Sequence, residues 1–125
     1  MEYVAVKTCL VVDDSRVIRK IAGRILEELG YEVAEAGDGA EALAWCRGGM
    51  PDAVLLDWNM PVMNGLDFLR RLRDQPGGST PVVVLCTVHN DPGQIEAALA
   101  AGADEYIMKP FDGDIIAAKF AEAGL

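Results

Sequence analysis

The run VVVLCT at 82–87 carries no charge and no alternation of polar and apolar residues, so as a strand it is apolar on both faces. A strand of that kind needs cover on both sides, which parallel sheets obtain from their crossover helices. CLVV at 9–12, in KTCLVV, and AVLL at 53–56, in DAVLLD, have the same character, and each is followed at once by an aspartate, Asp13 or Asp57. Each of these runs is followed by a segment with helical signals. Strands alternating with helices specify an α/β domain with a doubly wound parallel sheet.

The intervening segments fit that scheme. SRVIRKIAGRILEELG opens on Ser15, a good N-cap, and stops at Gly30. Ile18, Ile21, Ile25 and Leu29 fall on one helical face, read as the face toward the core. YEVAEA (31–36) is a short strand, and AEALAWCR (40–47) is a helix with Trp45 as a packing residue. GLDFLRRLRD (65–74) sets Leu66, Leu69 and Leu72 on an apolar stripe, with the arginines of 70–73 on a solvated face. PGQIEAALAAGA (92–103) is a helix bounded by Pro92 and Gly102. EYIM (105–108) is the last strand, and DGDIIAAKFAEAGL from 112 onward the last, short helix. The five strand–helix units form one domain over 1–125, its core at about 7–122, with no repeat or linker and no output domain expected.

Composition narrows the function. The 125 residues are 51% hydrophobic and 25% charged, which is ordinary for a globular domain. The net charge of −9 would repel nucleic acid or an anionic membrane and would attract a cation or a basic partner. No apolar run approaches the ~20 residues of a membrane helix. The start, MEYVAVKTCLVVDD, has no positive segment ahead of its apolar residues and makes a poor signal peptide. Cys9, Cys46 and Cys86 match no zinc spacing and read as small core residues of a reduced, cytoplasmic protein.

Right-handed crossovers bring all the strand carboxyl ends to one edge, where open α/β sheets bind their ligands. The polar residues at those ends are Asp13-Asp14, Asp57, Thr87 and Lys109. Three carboxylates crowded together need a cation, and an open all-oxygen set suits Mg²⁺. A carboxylate beside Mg²⁺, a lysine and a hydroxyl has the chemistry of a phosphoryl acceptor. Taken singly, each residue has a plainer reading: helix cap, turn aspartate, strand-end threonine, surface lysine. The plain readings lose force only because the residues fall together.

VVDDSR, LLDWNMPVMNG, LCT and YIMKPF, in this order and spacing, resemble the receiver domain of two-component response regulators, closest in type to single-domain chemotaxis regulators. The resemblance implies a flavodoxin-like fold with sheet order 2-1-3-4-5 and five helices. It implies phosphorylation of Asp57 by a histidine kinase or a histidine phosphotransfer protein. Asp13, Asp14, Asp57 and the Asn59 carbonyl would hold Mg²⁺. Lys109 and Thr87 would contact the phosphoryl group, and Tyr106 would turn inward as Thr87 moves. Gly65 matches the family's turn glycine, and Lys109-Pro110 a peptide bond that is cis in the family. Asn59 and His89 stand where the family varies and tunes phosphate lifetime, although a lone loop histidine is more simply solvated. The output would be a protein target bound at the face of the fourth helix, fifth strand and fifth helix, by a monomer or a weak dimer once phosphorylated.

Three other readings compete. A pseudo-receiver, a constitutive interaction module, is opposed by the intact acid pair, acceptor aspartate and lysine. A phosphorelay shuttle or phosphate sink would share the site and have no output of its own. An aspartyl-phosphate hydrolase of the haloacid-dehalogenase kind carries a second aspartate two residues after the nucleophile as its acid. Asn59 occupies that position here and cannot donate an acid proton.

Overall fold

The computed structural model describes residues 6–88 and 91–125, so His89 lies outside the described residues. The elements are β1 (Thr8–Val12), α1 (Arg16–Glu28), β2 (Glu32–Ala36), α2 (Gly39–Arg47), β3 (Ala53–Asp57), α3 (Gly65–Asp74), β4 (Val82–Thr87), α4 (Pro92–Ala101), β5 (Glu105–Met108) and α5 (Gly113–Glu122). All strand pairings are parallel, and the strand order is β2-β1-β3-β4-β5. This is the flavodoxin-like arrangement with five helices.

The three most apolar strands lie at the centre. Every residue of β3 is buried, as are Cys9–Val12 of β1 and Val83–Thr87 of β4. Side chains alternate across the sheet and so build two cores. Leu10, Val12, Val54, Leu56, Val83 and Leu85 pack with Phe68, Leu69 and Leu72 of α3 on one side. Cys9, Val11, Leu55, Val84 and Ile107 pack with Leu26 of α1 and Ile116 and Phe120 of α5 on the other. The three thiols are free and buried, and burial pushes Cys9 up to about 12 and Cys46 up to about 11.

Each helix is started by a polar side chain. Ser15, Asp38, Asn64, Asp91 and Asp112 accept a hydrogen bond from a backbone N–H two or three residues ahead. Gly102 ends α4 in the left-handed region at φ 115°, which favours glycine. Among the described residues, no helix is long and apolar enough to cross a membrane.

Three expectations about side chains need correction. The buried stripe of α1 is Ala22, Gly23 and Leu26, while Ile21 and Leu29 are exposed. Small residues face the sheet there, and a Cβ on Gly23 would stand in ordinary contact with Val33, at 3.5 Å. Trp45 is also exposed rather than packed. Arg73 does not belong to the solvated face of α3. Its guanidinium donates to the carbonyls of Gly102, Gly78 and Pro81 at 2.7–3.1 Å and pairs with Asp104 at 3.1 Å. It lies four residues after Leu69, on the buried stripe, and that spacing was the available signal.

Candidate functional site

Strand register brings the site together. Val12 pairs with Leu56, so Asp13 and Asp57 leave the sheet at the same level. Asp57 pairs with Cys86 of β4, one residue before Thr87. Thr87 pairs with Met108 of β5, and the N–H of Lys109 donates to the Thr87 carbonyl at 2.8 Å. Four strand ends therefore deliver Asp13, Asp57, Thr87 and Lys109 to one edge. Among the described residues, the buried polar or charged side chains are Asp13, Asp57 and Thr87. All three stand at this edge.

Lys109 holds the buried carboxylates together. Its Nζ donates to Asp13 Oδ2 at 2.7 Å and to Asp57 Oδ1 at 3.2 Å. Asp13 Oδ1 accepts the N–H of Ser15 at 2.9 Å, so both of its oxygens are engaged. The Asp13 carbonyl accepts Arg19 Nη1 at 2.7 Å, and Arg19 is in turn paired with Glu35 at 3.1 Å. That brace was not legible in the sequence, where Arg19 reads only as a polar residue of α1. Asp14 is exposed. One carboxylate oxygen from each of Asp13, Asp14 and Asp57 lies within 4.8 Å of the others.

The electrostatics follow from this crowding. Burial raises the pKa of Asp57 above the usual carboxylate range and Asp13 raises it further, while Lys109 partly opposes them. For Lys109, burial disfavours the charge, but the hydrogen bond it donates to Asp13 and the charges of Asp57 and Asp13 outweigh it. Its pKa ends above the ordinary lysine value. An ammonium facing two buried carboxylates leaves net negative charge, which favours a further cation. The donor atoms are hard oxygens from the ends of β1 and β3, with one exposed member, and this fits Mg²⁺.

The loop at 58–64 wraps the site. Trp58 donates its N–H to the Cys86 carbonyl at 3.2 Å and receives the Gly65 N–H on its own carbonyl at 3.0 Å. Gly65 is buried against this turn, and a Cβ there would run into the Asp57 carbonyl oxygen. Close approach, not a positive φ, is what requires glycine. Asn59 is exposed in the loop, and Val62 stands at φ 68°. The Lys109–Pro110 peptide bond is cis. Tyr106 is half-buried next to the core below α4, with Lys119 Nζ 5.9 Å above its ring.

A buried carboxylate beside an ammonium and an acidic cation site can act as a nucleophile toward an electrophile that carries oxygens for those cations to hold. A phosphoryl group is such an electrophile.

Comparison with known proteins agrees with this geometry. Residues 9–121 match the family described as response regulator receiver domain. The response regulator MprA of Mycobacterium sp. (strain KMS) is 45% identical over 82% of this chain and 44% of its own length. This chain thus spans less than half of that curated relative. Chemotaxis protein CheY1 of Helicobacter pylori is 38% identical over 88% of this chain and 90% of its own. The solved structure of chemotaxis protein CheY4 of Vibrio cholerae superposes with a TM-score of 0.90 at 33% identity, covering 95% of this chain and 99% of that one.

Proposed function

The chain belongs to the response regulator receiver domain family, and from that premise we propose that Asp57 accepts a phosphoryl group and that the acyl phosphate switches the binding of a protein target. The observation that carries this reading is the position of Asp57. It ends the central strand, buried, with Lys109 Nζ at 3.2 Å and the acidic pair alongside.

The donor is a phosphohistidine of a histidine kinase or histidine phosphotransfer protein in the cytoplasm, where thiols such as the three here stay reduced. A carboxylate oxygen of Asp57 forms a bond to phosphorus as the phosphorus–nitrogen bond breaks. The electron pair leaves with the imidazole, which is protonated from solvent. Lys109 stands where it can hold a transferring oxygen as a point charge. Asp13, Asp14, Asp57 and the Asn59 carbonyl would hold Mg²⁺. When bound, it supplies neutralisation of the negative charge shared between phosphoryl oxygens and carboxylates. Asp13 is braced for that role by Ser15 and Arg19.

The product adds negative charge and acceptor oxygens within reach of Lys109 and the Thr87 hydroxyl. Thr87 moves toward them, and Tyr106 follows inward. The altered face is that of α4, β5 and α5, where the target binds.

Incubation with acetyl phosphate and Mg²⁺ tests the assignment. The chain should gain one acid-stable, base-labile phosphate, and Asp57→Asn should gain none. Full labelling of that variant would remove Asp57 from the role.

A further inference from the structure

We infer that the face formed by α4, β5 and α5 takes a cationic amphipathic segment of a partner protein. This rests on the switch reading above and adds the chemistry of the partner.

Charge along the chain is distributed unevenly. No lysine or arginine occurs between Arg73 and Lys109. From residue 91 onward seven carboxylates face two lysines. One of these, Lys109, is occupied by Asp13 and Asp57 at the site. The other, Lys119, pairs with Glu105 at 3.4 Å and Glu122 at 3.2 Å. Neither lysine offsets the exposed Glu96 on α4. By contrast, α1 carries Arg16, Arg19, Lys20 and Arg24 against two glutamates. Residues 91–125 thus carry −5 of the chain's −9.

The same face offers apolar anchors. Leu99 is 43% exposed and Ile115 is 40% exposed. Leu99 lies three residues after Glu96 on the outer side of α4, whose one buried residue is Ala98. Ile115 lies four residues before Lys119 and seven before Glu122 on α5, so these three share a stripe. β5 is an edge strand between the two helices, with half-buried Tyr106 on it. Leucine and isoleucine anchors rimmed by carboxylates complement a helix with apolar residues on one side and lysines or arginines beside them. Nucleic acid is repelled by the same charges. An acidic segment would face Glu96 and Glu122 without a free cation to meet them.

The test is selection from a displayed library of random 16-residue peptides on the beryllofluoride-loaded chain, followed by amide NMR of the enriched peptides. Enriched peptides should be net positive and should shift resonances near Leu99, Tyr106 and Ile115. They should bind at least tenfold more weakly to Glu96→Lys/Glu122→Lys and lose affinity steeply with salt. Neutral or acidic winners, winners that bind that variant equally well, contacts on another face, or no enrichment would each overturn the inference. Beryllofluoride shifts at Thr87 and Tyr106 report the switch itself. If they occur while the peptide result fails, the partner chemistry is wrong and the switch reading stands. If they are absent, the switch reading fails first.

Discussion

At the scale of single residues, the site was legible because a charge at the end of an apolar strand is conspicuous. Asp13, Asp57 and Lys109 each follow such a run, and register does the rest. Asp13 carries more than sequence reasoning assigned to it: both carboxylate oxygens are bonded, so removing it costs contacts as well as relieving repulsion. Val62 was not legible, since a backbone angle leaves no mark in composition. It adopts φ 68° in the loop beside Asp57, with its side chain 84% exposed. A β-branched residue there is strained by about 1–2 kcal/mol, and almost no packing repays it. Asparagine tolerates the left-handed region without glycine's extra freedom in the unfolded chain. Val62→Asn should therefore raise stability by about 1 kcal/mol in urea titrations. A variant no more stable than the parent would show that the loop relaxes at no cost.

At the scale of elements, strand and helix boundaries were readable from apolar runs, caps and glycines, but helix faces were less so. Isoleucine outranks alanine and glycine in any hydrophobic pattern, and that ranking picks the wrong side of α1. Ala22 and Gly23 face the sheet instead, and only the way the helix packs on the sheet decides that. Arg73 was missed for a related reason: its partners are carbonyls in two loops, Gly78 and Pro81 before β4 and Gly102 after α4. It fastens the end of α3 to the end of α4. Arg73→Ala leaves those acceptors without their charged donor, a loss of about 3 kcal/mol. Arg73→Lys should recover only part of it, because a point charge cannot span the fork. Equal stability of all three proteins in urea would refute the fastening.

The pair of α1 with β2 is weaker and depends on pH. The hydrogen bond from Lys20 holds Glu35 below its ordinary value of 4.5; burial opposes it and Arg19 adds to it. Its contribution is therefore present above that value and lost as pH falls through the lower folded value. Glu35→Gln should flatten the acid limb of a stability-against-pH curve and leave the neutral region nearly level. An unchanged acid limb would show that these partly exposed pairs contribute nothing.

At the scale of the whole molecule, alternation of strands and helices establishes a parallel sheet, yet it does not establish strand order. That order came from resemblance, because several orders bury the same strands equally well. What the order does is place β3 at the centre and β5 at an edge, with the site at the middle and the proposed output face at the side. The proposed switch must then act across β4 and β5. The path is short: the Thr87 carbonyl receives the Lys109 N–H, and Tyr106 lies three residues before Lys109 on the edge strand. The helix that the proposed switch would move is lightly held, since Ala98 is the one buried residue of α4. Its far end is fastened by Arg73 at Gly102, so displacement is expected at its start, next to the site. A preference of ~1–3 kcal/mol between two such positions is enough for a usable switch. Amide NMR with beryllofluoride and Mg²⁺ should shift Thr87, Tyr106 and the first turn of α4 strongly, Gly102 little, and the α2 face hardly at all. Shifts confined to the loops around Asp14 and Asp57 would make the chain a phosphate reservoir, because the charge added at the site would then have no mechanical consequence at the edge.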